Sequence, residues 1–329
     1  LIRAAARAYA GRRPAMAFWG LGLTEHVQGT DAVSALVNLA LLTGNLARSG
    51  AGVNPLRGQN NVQGASHMGC DPGMLAGAAP LAQARARFAA AWGAKIPAAP
   101  GLTATAMLDA ARAGHLRALL VFGWDLLQSG AGEGRTRAAL AALEHLVVVD
   151  LFMHEGARSA QVFLPAAACL EKDGTFMNGE RRVKRVRRAV RPPGHAKADW
   201  EIVQGLAARM GSKRGFTFKS PEKIWEEIRG TWPDGRGITY RRLDRGGLQW
   251  PCPDERHPGT AALYADDPSW KGTFRYAEYH PSPEEVSPAF PFVLITGRSL
   301  YQYNAGSQTR RTPAVRLRDR DWLDVSPAD

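Results

Sequence analysis

The segment Gly52-Val53-Asn54-Pro55-Leu56-Arg57-Gly58-Gln59-Asn60-Asn61-Val62-Gln63-Gly64 sets one guanidinium among five side-chain amides and flanking glycines. Arg57 keeps its positive charge at any working pH and presents a planar fork of donors, a geometry that pairs with a carboxylate or phosphate. Asn and Gln carry donor and acceptor side by side, which suits the edge of a heterocycle. Glycines let the backbone approach a ligand closely. A polar surface loop built of Asx turns has the same composition. Beside that alternative stands the reading of the segment as a site for an anion and a heterocycle, with Arg57 anchoring a small anion.

Carboxylates form a second group. Asp150 closes the apolar run from Leu146, and an acid at a strand end accepts ribose hydroxyls in dinucleotide-binding folds. Asp125, just after Gly123, has the same reading. Either acid could serve instead as a helix N-cap or turn residue. A third group is Glu171 to Asn178 (EKDGTFMN) followed by Arg181 to Arg191, in which Arg181, Arg182, Lys184, Arg185, Arg187, Arg188 and Arg191 are basic. Such a run suits a nucleic-acid patch, a solvated face, or a hairpin that turns some of its arginines toward pyrophosphates. No aromatic residues interleave in it to stack bases. The fourth group, Thr296-Gly297-Arg298 with Tyr301-Gln302-Tyr303-Asn304 and Gln308-Thr309-Arg310-Arg311, repeats the combination of glycine, arginine and polar cluster after an apolar run.

Other chemistries find no support. Cys70, Cys169 and Cys252 lie far apart, without the spacing of a zinc or iron–sulfur site, and read as reduced intracellular thiols. His67 and Cys70 resemble half of a metal site with no second pair. Gly130 to Gly134 lacks the lysine and hydroxyl of a P-loop, and no Gly-x-Ser-x-Gly elbow occurs. The remaining histidines are scattered and read as surface or satisfied core residues.

The elements that must position these groups follow from periodicity. Strands are expected at Pro14–Trp19, Leu116–Phe122, Leu146–Asp150 and Gln161–Leu164. Helices are expected at Thr30–Leu42, Leu81–Trp92, Thr103–Ala113, Arg135–Leu143 and Pro221–Arg229. Arg48 to Gly77 reads as a long functional loop, and Pro291 to Thr296 (PFVLIT) as a strand opening another domain. Strands alternating with helices imply βαβ units and an α/β fold with parallel sheets, whose ligands gather beyond the carboxyl ends of the strands. Phe18-Trp19-Gly20 resembles Phe122-Gly123-Trp124, which suits two related α/β units holding two related nucleotides.

At 329 residues the expectation is two domains. The composition, 45% hydrophobic and 22% charged, is globular. No apolar run approaches the roughly 18 residues that span a bilayer, so membrane insertion of this stretch is not expected. The net charge is +12, and of the 42 basic residues 34 are Arg and 8 are Lys. An anionic ligand is implied, with an Arg-rich coding bias as the alternative. The start at Leu1 and the stop after Trp322 to Val325 suggest an internal segment of a longer polypeptide.

Taken in order, LALLTGNLARSGAGVNPLRGQNNVQG (39–64), LVVVDLFMHEGARSAQVFLPAA (146–167), EKDGTFMNGERRVKRV (171–186) and LITGRSLYQYNAGSQTRR (294–311) resemble the molybdopterin oxidoreductase family, in particular its formate dehydrogenase catalytic (alpha) subunits. The resemblance covers nearly the whole chain. It implies α/β domains around a molybdenum or tungsten ion held by two molybdopterin guanine dinucleotides, oxidation of formate to CO2, and transfer of two electrons through a [4Fe-4S] cluster to partner subunits. In this layout residues 1–59 finish one α/β domain and 60–168 form the second. Residues 169–289 connect, and 290–329 begin a β-barrel cap domain. Arg57 matches the arginine that holds formate beside the metal, with Gly58, Gln59 and Asn60 next to the pterin. Asp125 and Ser129 match dinucleotide contacts, Asp150 and Gly174 line the same groove, and Asp199 matches the guanine-binding aspartate. Arg298, Gln302 and Asn304 match pterin and phosphate contacts of the cap domain. Gly123-Trp124-Asp125-Leu126 departs from the usual Gly-Glu-Asn/Asp-Pro. The metal-ligating Cys or selenocysteine, the His after it and the four-cysteine cluster motif are expected before Leu1. The resemblance further implies a cytoplasmic enzyme that binds no nucleic acid; a nitrate reductase and, more distantly, a basic nucleic-acid-binding protein are the alternatives.

Overall fold

A computed structural model describes residues 1–212, 214–265 and 267–327. Strands β1 (Met16–Trp19) and β2 (Gly52–Pro55) pair in parallel; β3 (Ala118–Phe122), β4 (His145–Asp150) and β5 (Val162–Pro165) form a parallel sheet in that order. Strands β6 (Gly174–Met177), β7 (Arg182–Val186) and β8 (Leu248–Gln249) form an antiparallel sheet with β7 central. The chain divides into two compact units. One is Leu1–Gly101, Cys169–Arg191 and Gln204–Glu285; the other is Leu102–Ala168, Pro192–Val203 and Val286–Asp329. Residues 1–59 therefore share a unit with 60–101, and 102–168 share theirs with two later stretches.

In the first unit, β1, the helix Gly29–Leu42 and β2 make a βαβ crossover. Asp31 lies in the first turn of that helix, complementing its dipole, and Gly44 beyond its end takes φ +66°. The stretch 48–77 is not the structureless loop its composition suggests. It carries β2, the helix Val62–His67 and a short ladder of Met74–Leu75 against Ala79–Pro80. Elements of two to six residues are too short to establish a period, and β2 gains its partner from residues some 36 positions earlier (Met16 opposite Gly52). The antiparallel sheet packs on a core of Met177, Val183, Trp225, Trp232, Ile238, Tyr240, Leu243 and Cys252. The Trp225 indole N–H donates to Ile238 O at 2.6 Å, which makes its burial affordable.

In the second unit, β4 is the middle strand, and Leu146, Val148 and Val149 are all buried, as a strand covered on both faces requires. Helices Ala104–Arg112 and Glu133–Ala141 pack against each other and share a core that includes Leu108, Ala111, Leu140 and Leu146. Thr103 caps the first of them by accepting the Ala106 N–H.

The strand expected at Pro291–Thr296 is absent. Among the described residues beyond Gln249 the only β pairing is an isolated bridge between Ser287 and Phe290, and Leu294 and Ile295 are 74% and 85% exposed. An extended apolar run becomes a strand only when a neighbour takes up its N–H and C=O groups, and no described segment lies beside it to do so. Among the described residues no helix is long and apolar enough to cross a membrane.

Candidate functional site

Arg57 sits where a parallel sheet ends. The Leu56 N–H donates to Trp19 O at 2.7 Å, continuing the β1–β2 pairing one residue past Pro55, so Arg57 emerges at the carboxyl ends of both strands. Gly58, Gln59 and Asn60 follow, all exposed. Asn61 then turns the chain at φ +62°, and its Oδ1 accepts the Met177 N–H at 3.0 Å, tying the loop to the end of β6. A Cβ at Gly64 would collide with that oxygen, so glycine is required there by close approach. The side-chain stem of Arg57 lies against Gly179 in the β6–β7 turn.

Loop and hairpin together enclose a cavity of about 320 Å³ lined by Arg57, Gln59, Asn60, Asn61 and Gln63 on one side and by Phe176 to Gly179 with Arg182 to Val186, Val183 excepted, on the other. Four cations line it (Arg57, Arg182, Lys184, Arg185) and no carboxylate does. Among the described residues no hydrogen bond or ion pair engages the Arg57 guanidinium. Gly174 begins β6 opposite Val186, in the same unit as Arg57.

The polybasic run is largely consumed by the fold. Arg181 donates to Trp250 O, to Thr260 O at 3.0 Å and to Ala261 O at 3.2 Å, and burial lowers its pKa. Arg182 donates to Gly247 O and Gln249 Oε1 and pairs with Glu180. Hydrogen bonds from Asn178 and Arg182 hold that glutamate below its ordinary pKa. Arg185 stacks 3.8 Å from the Tyr240 ring centre, and burial pushes the phenol up to about 12. Arg187 pairs with Asp244. These bonds stitch β7 to its neighbours and leave little of the run for a polyanion.

The second unit gathers the other group at the carboxyl ends of β3 and β4. Asp125 is 7% exposed and caps the turn Leu126–Ser129, its Oδ1 accepting the Gln128 N–H at 3.3 Å. The Ser129 hydroxyl donates to Asp125 O and accepts from the Trp124 indole, both at 2.8 Å. Asp150 Oδ1 accepts the N–H groups of Leu151 (2.6 Å) and Phe152 (3.3 Å). Both acids thus do the local capping that was their alternative reading, and each retains a second oxygen. Between them stands His154, which sequence reasoning passed over. Its Nδ1 is 3.2 Å from Asp125 Oδ1 and its Nε2 is 3.5 Å from Asp150 Oδ2. The one signal that could have found it is its spacing, four residues after Asp150.

The later polar cluster joins the same unit. Gln128 donates to Ala305 O at 2.6 Å and accepts from Ser307, and Arg311 lies over the Phe152 ring at 4.8 Å. Arg298 donates to Asn304 Oδ1 at 3.0 Å, with Asn304 at φ +53°. Gln302 is buried; its Oε1 accepts from the Thr309 hydroxyl at 2.8 Å and its Nε2 donates to Arg318 O at 3.2 Å. Asp199 opens the helix Asp199–Arg209. Cys70, Cys169 and Cys252 are free thiols, and among the described residues no set of three His, Cys, Asp or Glu side chains is arranged to hold a metal ion.

The chain is thus a mixed α/β protein with parallel strands whose carboxyl ends carry polar and charged side chains, and comparison with known proteins gives its family. A sequence model of molybdopterin oxidoreductases matches residues 6–209, more than half of the chain, and the chain belongs to that family. It is similar to the F420-dependent formate dehydrogenase subunit alpha of Methanocaldococcus jannaschii, 39% identical over 333 residues that cover 100% of this chain and 49% of the relative. Formate dehydrogenase H of Escherichia coli is 36% identical, covering 95% and 45%. The assimilatory nitrate reductase catalytic subunit of Bacillus subtilis is 34% identical, covering 99% and 48%. The chain spans about half the length of the curated relatives it matches.

Proposed function

We propose that this chain is part of the catalytic subunit of a molybdenum or tungsten formate dehydrogenase, converting formate to CO2, a proton and two electrons. The observation that carries this reading is the unengaged Arg57 guanidinium in a cavity with four cations and no carboxylate, at the carboxyl ends of parallel strands. Each unit offers donors that suit part of a pterin dinucleotide: in the first, the free Arg57 fork and Gln and Asn amides for an anion and a heterocycle edge; in the second, acids for ribose hydroxyls. A bis(molybdopterin guanine dinucleotide) complex, when bound, supplies the two-electron acceptor, and a [4Fe-4S] cluster and electron-transfer subunits carry the electrons onward.

The chain's own residues position. Arg57 pairs with both formate oxygens through parallel N–H···O bonds, which directs the C–H bond away from the guanidinium and fixes its orientation. With no Asp or Glu lining the cavity, nothing there repels the anion. Gln59 and Asn60 face the heterocycle, with the Gly58 backbone beside it. In the second unit Asp125 and Asp150 accept ribose hydroxyls, Asp199 accepts from the guanine edge, and Arg298 and Asn304 meet phosphate. Ser129 contacts a dinucleotide and Gln302 the pterin, and Gly174 lines a groove at the start of β6. The free thiols suit a reducing, cytoplasmic setting.

In the full-length holoenzyme, Arg57→Ala is expected to lower kcat/KM for formate by about a hundredfold, the loss of a charged double hydrogen bond, with metal content unchanged. Arg57→Lys is expected to recover only part, since a single ammonium cannot reproduce the fork. Parental turnover in either variant would refute the role. The nitrate reductase relative supports a second reading in which the same cavity takes another small planar anion. Formate-dependent dye reduction set against consumption of nitrate by reduced dye separates the two.

A further inference from the structure

His154 is 5% exposed, and its Nδ1 accepts the Ala157 N–H at 3.1 Å, capping the short helix Glu155–Arg158. The same Nδ1 stands 3.2 Å from Asp125 Oδ1; with Nδ1 accepting the Ala157 N–H, the neutral imidazole carries its proton on Nε2. That nitrogen is buried and makes no hydrogen bond. The acid it faces is Asp150, whose Oδ2 lies 3.5 Å away. Asp150 Oδ1 is already occupied by the Leu151 and Phe152 amides, so Oδ2 is the oxygen left to accept from a ligand. A helix cap alone would need only an acceptor at the Nδ1 position, which a smaller residue provides. The imidazole adds a buried, unpartnered ring nitrogen 3.5 Å from the second oxygen of a strand-end acid, close enough to act on it though not hydrogen-bonded to it.

We propose that His154 is a positioning residue for nucleotide binding in the second unit, its Nε2–H setting the orientation of the Asp150 carboxylate so that Oδ2 accepts from the cis-diol of a ribose. This rests on the reading of that unit as a guanine-nucleotide binder. Deleting the donor leaves Asp150 held through Oδ1 by the Leu151 and Phe152 amides but removes the group that faces Oδ2, which lowers affinity for the diol without unfolding the loop.

The two ring nitrogens can be tested apart. Asn at 154 supplies an acceptor near the Nδ1 position and no donor near Nε2; Gln supplies a donor near Nε2 and a poorer cap. The experiment uses the full-length protein produced without its pterin cofactor, with GDP and 2′,3′-dideoxy-GDP as probes in titration calorimetry, and thermal unfolding alongside. The parent is expected to bind GDP about tenfold more tightly than the dideoxy probe. His154→Asn is expected to keep the parental Tm and lose most of that preference; His154→Gln is expected to melt lower and keep it. If the parent prefers GDP and His154→Asn prefers it equally, the positioning role is overturned while the nucleotide reading stands. If the parent does not distinguish the probes or binds neither, the nucleotide reading itself fails, and the inference with it.

Discussion

Whether a basic side chain serves a ligand or the fold depends on which acceptors lie within its reach. Arg181, Arg182 and Arg185 each find backbone carbonyls, a carboxylate or an aromatic face, whereas Arg57 finds none among the described residues. Residue type is the same in all four, so residue type alone does not tell which of them the fold consumes. His67 makes the same point for a titrating group. It packs 4.9 Å from Trp232 and 4.7 Å from Trp250, with Nε2 buried and without a partner, and burial lowers its pKa to about 4. The unfolded chain protonates this imidazole near 6.5, so as pH falls below that value the unfolded state binds the proton first. Stability is therefore fully present above pH 6.5 and declines as pH falls toward 4, by up to roughly 3 kcal/mol. His67→Phe is expected to flatten the dependence of the urea midpoint over that window. A parent whose midpoint is as flat as the variant's would contradict the assignment.

At the scale of elements, the candidate site depends on one tie between short pieces. The Asn61 amide bonds to the end of β6 and so sets the loop that presents Arg57 against the hairpin that closes the cavity. Gly64→Ala drives a Cβ into Asn61 Oδ1 and is expected to cost about 1–3 kcal/mol in chemical denaturation, with the first unit affected. An unchanged unfolding midpoint would show that the tie yields freely. The long helices and the strands of the second unit were legible because their periods repeat over enough residues: Leu81–Trp92 lies where the pattern put it, and β3, β4 and β5 within two residues. β2 and the helix Val62–His67 were not, because a four-residue strand has no period to show and owes its existence to β1. PFVLIT failed in the opposite direction, being apolar enough for a strand and lacking a partner.

For the molecule as a whole, the two compact units interleave along the chain, so cutting at any single position in sequence cannot separate them. Order along the sequence suggested consecutive domains, whereas packing assigns residues 169–191 and 192–203 to different units. Net charge belongs to this scale too. A chain with charge +12 attracts any polyanion at low salt, but four of the seven basic residues in the run are engaged internally. Duplex DNA binding is accordingly expected to be weak at about 20 mM salt and gone by about 200 mM in a mobility-shift titration, as for counterion release without a built interface. Binding that persists at the higher salt would restore the nucleic-acid reading.

By itself the sequence determined the family, the alternation that makes a parallel α/β sheet, the loop holding Arg57 and the acids closing β3 and β4. These are written in residue types and in repeats between near neighbours. Tertiary structure alone decided that Arg57 stays unengaged while the neighbouring arginines are spent, that Asp125 and Asp150 both cap backbone, and that His154 stands between them. Partners for a charge or a lone pair come from segments distant in sequence, and which of them arrive within 3 to 4 Å is settled only when the whole chain packs.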